Sequence, residues 1–295
     1  MVKLSVIIVS HNTAQIIKKC IRLLLGKLKK ANFIYQLLII DNASEDETIK
    51  ELQYLQQKTK AEFIIIKNKK NLGYAKANNQ GLKKARGKYT LFLNSDVLIK
   101  KIDFSSLLDF LDKNHSIGGL TIKLILSDGR IDLASHRGFP TLWRSFCYLS
   151  GLEKFFCSIP FFNKIFGGYH LCGCKMEEIH EIESPSGAFF LVRTNLVKKL
   201  RGFDENFFMY GEDLDLAWRI KKAGYKIIYY PYFEAIHLKY QSGLKGRDIN
   251  KRKLIKKYFY QAMKIFYQKH YQDKYPKFIN LIINKIIDLK IKSIS

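Results

Sequence analysis

The chain has 295 residues, 47% of them hydrophobic and 14% aromatic, which supplies the core of one large domain and excludes a disordered polymer. Its 51 Lys and Arg against 26 Asp and Glu leave a formal charge of +25, so the surface attracts polyanions or anionic lipid. Apolar runs such as residues 37–40 fall far short of the ~20 residues that span a bilayer, and residues 1–9 lack the length and cleavage site of a secretory signal; the expected setting is cytoplasmic, with any membrane contact peripheral.

Residues 4–9 are apolar on both faces apart from Ser5, as in a central strand of a covered parallel sheet. Ser10, His11 and Asn12 follow. Ile16, Ile17, Cys20, Ile21, Leu24, Leu25 and Leu28 then recur at helical spacing, with Asn12 or Thr13 as the cap. The unit repeats: strand 35–40 ends at Asp41 and Asn42, and Ser44 with Glu47 predicts a capping box for a helix carrying Ile49, Leu52 and Leu55. Residues 63–66 make a third strand. Such alternation implies right-handed crossovers, a parallel sheet, and ligands bound beyond the carboxyl ends of its strands. Asp41 stands where it can accept hydrogen bonds from a base or ribose, although Asp-Asn also makes an ordinary turn.

After the loop 71–74 (NLGY), residues 75–86 read as a helix closed by Gly87, and 89–93 as a fourth strand ending in Asn94, Ser95 and Asp96. A carboxylate beside a second oxygen ligand at that edge can hold a hard divalent cation against a diphosphate; read alone, the tripeptide is also a turn. Phe104, Leu107, Leu108 and Leu111 mark another helix, and 120–126 a strand entering a turn at Ser127, Asp128 and Gly129. Residues 137–174 are rich in aromatics without a dependable period, and read as an insertion that shapes an acceptor pocket, touches lipid or simply fills space.

Ser186, Gly187 and Ala188 lead into strand 189–192, expected to lie under the helix that follows. That helix opens within RGFDENFFMYGEDLDLAWRIKKAG (residues 201–224). Glu212, Asp213 and Asp215 follow Gly211 directly and fall in the first turn, where exposed N–H groups and the macrodipole favour an ionised carboxylate ready to accept a proton. Phe203, Phe207, Phe208, Met209 and Tyr210 suggest an aromatic wall beside those acids. Strands follow at 226–230 and 233–236, the second ending at His237, which suits a metal or phosphate ligand as well as a structural group.

The composition changes near Gly243. Residues 1–243 read as one domain, 1–97 its nucleotide half and 98–243 its acceptor and catalytic half, and 244–295 as a basic helical tail. In the tail Ile255, Tyr258, Phe259, Ala262, Met263 and Phe266 share a helical face flanked by Lys256, Lys257 and Lys264, which suits a membrane interface or packing onto the domain. Cys20, Cys147, Cys157, Cys172 and Cys174 form no paired CxxC framework, so free thiols are expected; Cys172 and Cys174 with His170 and His180 could hold zinc, though the one-residue gap is unusual.

Taken in order, VIIVSHN (6–12), IIDNASEDET (39–48), NLGYAKANNQG (71–81), LFLNSDV (91–97), SGAFFLVR (186–193), GFDENFFMYGEDLDLAWR (202–219) and HLKYQS (237–242) are a specific set. The chain resembles the inverting glycosyltransferases of family 2, the rhamnosyltransferase branch especially, over residues 4–242. The resemblance implies an α/β fold of GT-A type: a Rossmann-like, mostly parallel sheet flanked by helices, with a C-terminal helical extension. It implies a nucleotide-diphosphate sugar donor, dTDP-rhamnose or a UDP-hexose, and a divalent metal, Mn2+ or Mg2+. Ser10, Asn12, Asp41, Asn42, Asn71, Gly73, Asn94 and Ser95 would line the donor site, with Asp41 reading the nucleotide. Asp96 and His237 would hold the metal. Asp213 would be the general base, with Glu212 beside it. Asn94 replaces the first acid of the family's metal motif, as in related members of this branch.

A hydroxyl of a saccharide or lipid-linked saccharide would be the acceptor, in cell-surface polysaccharide synthesis, with an anionic membrane surface as a further partner. One carboxylate suffices, because a metal-bound diphosphate leaves without protonation. The alternatives are a sugar-phosphate nucleotidyltransferase, whose glycine-rich, arginine-bearing loop after the first strand is missing, and a nucleic-acid binder, for which no module motif appears.

Overall fold

The computed structural model describes residues 1–239 and 249–294. The boundary expected near Gly243 and the end of the HLKYQS stretch lie outside the described residues. The first half alternates strand and helix: β1 (Leu4–Ser10), α1 (Ala14–Leu28), β2 (Tyr35–Asp41), α2 (Thr48–Gln57), β3 (Glu62–Lys67), α3 (Tyr74–Lys84) and β4 (Tyr89–Asn94). Side chains of β1 alternate between two layers. Leu4, Val6 and Ile8 enter the core that holds Ile17, Ile21 and Leu24 of α1, whereas Ile7 enters the one that holds Ala75, Ala77 and Leu82 of α3. Burial on both faces is why these strands read as unbroken apolar runs.

The second half is β5 (Val97–Lys101), α4 (Phe104–Lys113), β6 (Ile117–Leu126), a 3-10 turn at Leu133–Ser135, α5 (Leu142–Ser150), α6 (Leu152–Phe156), α7 (Phe162–Phe166), β7 (His180–Ile182), β8 (Phe189–Arg193), α8 (Thr194–Lys199), α9 (Glu212–Lys222) and β9 (Lys226–His237). Helices α10 (Ile249–His270) and α11 (Lys277–Lys292) follow. The strands form one sheet in the order β3, β2, β1, β4, β8, β6, β9, β5, with β7 on β9. It is parallel from β3 to β4, as expected, and mixed beyond, because β8 runs antiparallel to both β4 and β6. The reversal sets the residues that enter β8 beside the carboxyl end of β4: Asn94 N–H donates to Ala188 O at 3.0 Å.

Several expectations are corrected. The two strands at 226–230 and 233–236 are one, β9, whose register against β6 jumps from Ile122↔Tyr230 to Lys123↔Glu234. Pro231 sits at the jump; without an N–H it cannot take a regular place in the ladder. Ser44 and Glu47 make no capping box. The Ser44 hydroxyl turns back to Asp41, and Asp46 takes over, accepting from Thr48 N at 3.0 Å and from Ala14 N, at the start of α1, at 3.1 Å. Neither Asn12 nor Thr13 gives α1 a side-chain cap. The thiols are not all free: Cys157 and Cys172 are joined, with Cα atoms 5.3 Å apart, because the α6–α7 hairpin folds the ends of the insertion together. Cys20, Cys147 and Cys174 remain free.

The tail packs on the domain. Ala262, Phe266, Tyr267 and Tyr271 are buried in the core cluster that includes Leu214, Leu216 and Ala217 of α9, so of the two readings of this face, membrane interface or packing onto the domain, the second holds for much of it. Phe259 stays exposed, and α11 leaves Phe278, Leu281, Ile282, Ile286 and Leu289 exposed along one side. Among the described residues no helix is long and apolar enough to cross a membrane.

Candidate active site

The carboxyl edge of the parallel strands is built of mutually bonded side chains. Ser10 and Asp41 are register partners at the ends of β1 and β2, both buried, with Ser10 Oγ donating to Asp41 Oδ1 at 3.1 Å. Asp41 Oδ2 accepts from Ser44 N at 3.0 Å, closing the turn that fixes its carboxylate. Asn12, at φ 52°, is exposed and holds that turn from the other side: its N–H donates to Ser44 Oγ and its Oδ1 accepts from Glu45 N at 2.8 Å. Asn42 Nδ2 donates to Asn71 Oδ1 at 2.8 Å and Gly73 O at 3.2 Å, and its Oδ1 accepts from Leu72 N at 3.0 Å. The loop 71–73 is thereby tied to the end of β2. At Gly73, φ is +83°, and a Cβ would lie 2.5 Å from Phe208 O, so this loop touches the segment that leads into α9. Tyr74 N donates to the same carbonyl at 2.8 Å.

Tyr74 then joins the motifs. Its hydroxyl lies 2.9 Å from both Asn94 Oδ1, at the end of β4, and Gly187 O, ahead of β8. Burial, and then the charges of Glu212, Asp213 and Asp96, push its phenol well above the ordinary range, which marks how closely the three acids converge. Ser95 and Asp96 are buried in the turn to β5. Asp96 Oδ1 lies 3.4 Å from His237 Nε2, while His237 Nδ1 is 2.7 Å from Asp132 Oδ2. Burial opposes a charged ring here, yet the hydrogen bonds and charges of Asp132 and Asp96 raise His237 to about 9. Asp132 is held well below the carboxylate range despite its burial, by His237 and Lys239, whose Nζ is 2.9 Å from Oδ1. The antiparallel pair β5–β9 sets this geometry, with Val97 opposite His237.

Helix α9 opens at Gly211 (φ +79°) and buries Glu212, Asp213 and Asp215 in its first turn. Asp213 Oδ2 accepts from Arg137 Nη2 at 2.8 Å and Gly187 N at 3.0 Å, and Oδ1 from Leu214 N at 2.7 Å. Three of the roughly four acceptor positions of a carboxylate are used, which orients the group and leaves one on Oδ1. Glu212 Oε2 is buried without a partner. Burial, and then the Asp213 charge, drive its carboxyl upward. Asp215 faces away from this cluster, toward Arg219, Lys269 and His270.

Asp132, Arg137 and Tyr74 are site residues that motif reading missed. Arg137 begins the aperiodic insertion, and Asp132 lies in a loop; nothing local to either marks its partner. Phe207, Phe208 and Met209 do line a cavity of about 310 Å³, but its other wall is Tyr258, Ala262 and Ile265 of α10 and not the acids. Phe203 is a core residue, its ring edge-on to Phe92 with centroids 4.7 Å apart. Phe208 is turned onto Tyr258 of α10.

Residues 5–166 match the family model described as glycosyl transferase family 2, and residues 120–285 that of glycosyl transferase family group 2. Rhamnosyltransferase WbbL of Escherichia coli K12 is 27% identical over 242 residues, which are 79% of this chain and 82% of that protein. The N-acetylglucosaminyl-diphospho-decaprenol L-rhamnosyltransferase of Mycobacterium tuberculosis is 41% identical over 78 residues, 25% of each chain. The solved structure of GalNAc-T7 with UDP, GalNAc and Mn2+ superposes with a TM-score of 0.59 at 17% identity, over 90% of this chain and 50% of that one. The mixed sheet with helices on both faces is accordingly a GT-A fold. With more than half of its length matched by the first model, the chain is a glycosyltransferase and belongs to glycosyl transferase family 2, where rhamnosyltransferases are among its relatives.

Proposed function

We propose that the chain is an inverting transferase that moves a sugar, rhamnose from dTDP-rhamnose or a hexose from its UDP form, onto a hydroxyl of a saccharide or lipid-linked saccharide during cell-surface polysaccharide synthesis. The observation that carries this is Asp213, a buried carboxylate fixed by Arg137 and Gly187 N, in the same cluster as Asp96 and Tyr74. The free position on its Oδ1 accepts the proton of the acceptor hydroxyl as that oxygen attacks the anomeric carbon opposite the diphosphate. Asp41, Asn42, Asn71 and Gly73, at and after the end of β2, hold the nucleotide, with Ser10 and Asn12 bracing Asp41 and its turn; Asn94 and Ser95, at the end of β4, complete the donor site, Asn94 tied to Tyr74. The two rhamnosyltransferase relatives favour a deoxyhexose donor, and the name of the mycobacterial one favours a diphospholipid-linked acceptor.

The residues present fit a divalent metal. Asp132 fixes His237 Nδ1 so that Nε2 faces Asp96 Oδ1, the carboxylate–histidine arrangement that supports metal ligands, and mixed oxygen and nitrogen donors suit Mn2+ better than Mg2+. When bound by Asp96 and His237, the ion would offset charge on the leaving diphosphate. The missing first acid is Asn94, whose Oδ1 is already engaged by Tyr74. Exposed apolar residues on α5–α7 and α11, in a chain of charge +25, favour peripheral attachment to an anionic cytoplasmic membrane face, where a lipid-linked acceptor would be found. Nucleic acid is not expected as a partner.

The test is release of nucleoside diphosphate from a panel of nucleotide sugars by purified protein, with and without a diphospholipid-linked saccharide. Acceptor-dependent release from one donor, with an anomeric product of inverted configuration by NMR, supports the proposal. Retained configuration, or no turnover with any donor, overturns it.

A further inference from the structure

Outside the proposed transfer site, three side chains meet that the reaction does not use. His136 ends the segment after the 3-10 turn, Cys174 closes the insertion, and His180 begins β7. One ligand atom from each, imidazole nitrogen or thiol sulfur, lies within 4.8 Å of the others. The two rings stand nearly perpendicular at 81°, with Nε2 of His136 2.5 Å from Nε2 of His180.

The proton count is informative. His136 Nδ1 lies 3.1 Å from His170 O, and His180 Nδ1 lies 2.8 Å from Glu178 O. A carbonyl oxygen accepts only, so each Nδ1 carries the hydrogen, and each Nε2 is left with a lone pair. Two lone pairs then face one another at 2.5 Å beside a buried ring, which is repulsive unless a cation lies between them. A shared proton would account for the two nitrogens but not for the thiol grouped with them. A divalent ion bound also by the Cys174 thiolate carries the same net charge as that proton and engages all three groups. Fixing Nδ1 on a backbone carbonyl is moreover the usual outer support of a histidine ligand.

We propose that His136 Nε2, His180 Nε2 and Cys174 Sγ form a metal site for a thiophilic divalent ion, zinc above all, separate from Asp96 and His237. Binding releases the Cys174 thiol proton to solvent, forms one metal–sulfur and two metal–nitrogen bonds, and leaves a fourth position for water. The rings open to about 3.3 Å between nitrogens, as tetrahedral Zn–N bonds of ~2.0 Å require. The zinc set that the sequence suggests is thereby corrected: Cys172 is spent in the bond to Cys157, and the His170 ring is 2.9 Å from Glu153, so only Cys174 and His180 remain of it. The ion ties together three chain segments that sequence alone keeps apart, one of them immediately before Arg137, the residue that holds Asp213. The inference does not rest on the transfer reaction.

Titration of the full-length, metal-stripped protein with Co2+ tests it. The expected result is a sulfur-to-cobalt charge-transfer band with tetrahedral ligand-field bands, saturating near ~1 equivalent. Donor-site ligands carry no sulfur, so Asp96→Asn keeps the band. Cys174→Ser and His180→Ala lose it and bind Co2+ at least ~10-fold more weakly. Alkylation mapping of Cys174 covers variants that fail to fold: Zn2+ slows modification of Cys174 in the unaltered chain. Absence of a thiolate band, a band that survives Cys174→Ser, or a Cys174 alkylation rate indifferent to Zn2+ overturns the proposal.

Discussion

His270 Nε2, on the tail helix α10, lies 2.8 Å from Asp215 Oδ1, in the first turn of the helix that carries Glu212 and Asp213. Lys269 Nζ is 2.8 Å from the same oxygen, and Arg219 Nε 2.8 Å from the other. The tail is therefore part of the body that positions the acids. Removing residues 249–295 is expected to unfold the chain or lower its melting temperature sharply, since breaking a buried ion pair from one side costs about 3–5 kcal/mol, and Phe266, Tyr267 and Tyr271 go with it. Circular dichroism melting decides; a truncated chain that melts like the full one defeats this reading. Its pH dependence has a definite sign. His270, Arg219 and Lys269 hold Asp215 at about 2 despite its burial, below the ~3.9 of an unfolded chain, so its stabilisation is present above ~3.9 and fades as pH falls through 2. Asp215→Asn should remove that acid-side loss.

Asp213→Asn keeps the shape of the group and should lower kcat by ~100 to 10,000-fold, with donor affinity nearly unchanged. Arg137→Met should reduce kcat in the same direction through a misoriented Asp213, again with little effect on donor KM. Near-normal turnover in Asp213→Asn would move the base to Glu212.

Glu212 makes an opposite kind of prediction. Its folded pKa lies above the ~4.3 of an unfolded chain, so it weakens the fold as pH rises from ~4.3 through the folded value, and the penalty is complete above it. Glu212→Gln should therefore raise the melting temperature at pH 8 by at least ~2 °C, and by less at pH 5, whatever it does to turnover. An equal or lower melting temperature at pH 8 contradicts the burial argument.

For the donor metal, isothermal titration should show that Asp96→Ala and His237→Ala weaken Mn2+-dependent donor binding. Asp132→Asn, which touches the ion only through His237, should cost ~10 to 100-fold in Mn2+ affinity. Transfer that persists in excess chelator would remove the metal from the reaction.

Membrane attachment is read by flotation. The full chain should float with anionic vesicles at low salt and be released at high salt, and Leu281→Glu with Ile286→Glu on the exposed side of α11 should reduce flotation without lowering the melting temperature. Indifference to vesicle charge leaves these surfaces for another partner.

The elements that sequence reading found best are those whose burial is dictated by period. Strands β1 to β4 and helix α9 were bounded within a residue or two, since unbroken apolar runs and an acid-to-glycine helix frame are local signals. The acids came with them, because Asp41 ends β2, Asp96 lies two residues past β4 and Asp213 is the second residue of α9. Partners set by tertiary contact were invisible. Arg137 meets Asp213 across 76 positions, and Asp132 meets His237 across 105, with no periodicity linking them. Strand β5, five residues long with two exposed lysines, resembles a loop until β9 pairs with it. The apolar face of α10 was legible, but what would cover it was not: an amphipathic stripe looks the same whether lipid or Trp218 lies against it.

The hydrogen bond from Tyr74 N to Phe208 O has a consequence for how the molecule breathes. A first-turn amide of a helix ordinarily exchanges with solvent quickly, because no earlier turn of its own helix shields it. Tyr74 N is instead pinned across the two halves of the chain, beneath a glycine that nothing larger can replace without striking the same carbonyl. Its deuterium uptake should therefore be slow, on the scale of β1 and β4, and should accelerate only when both halves come apart together. In exchange measurements this one amide would report on cooperation between the N-terminal half and the acid-bearing half.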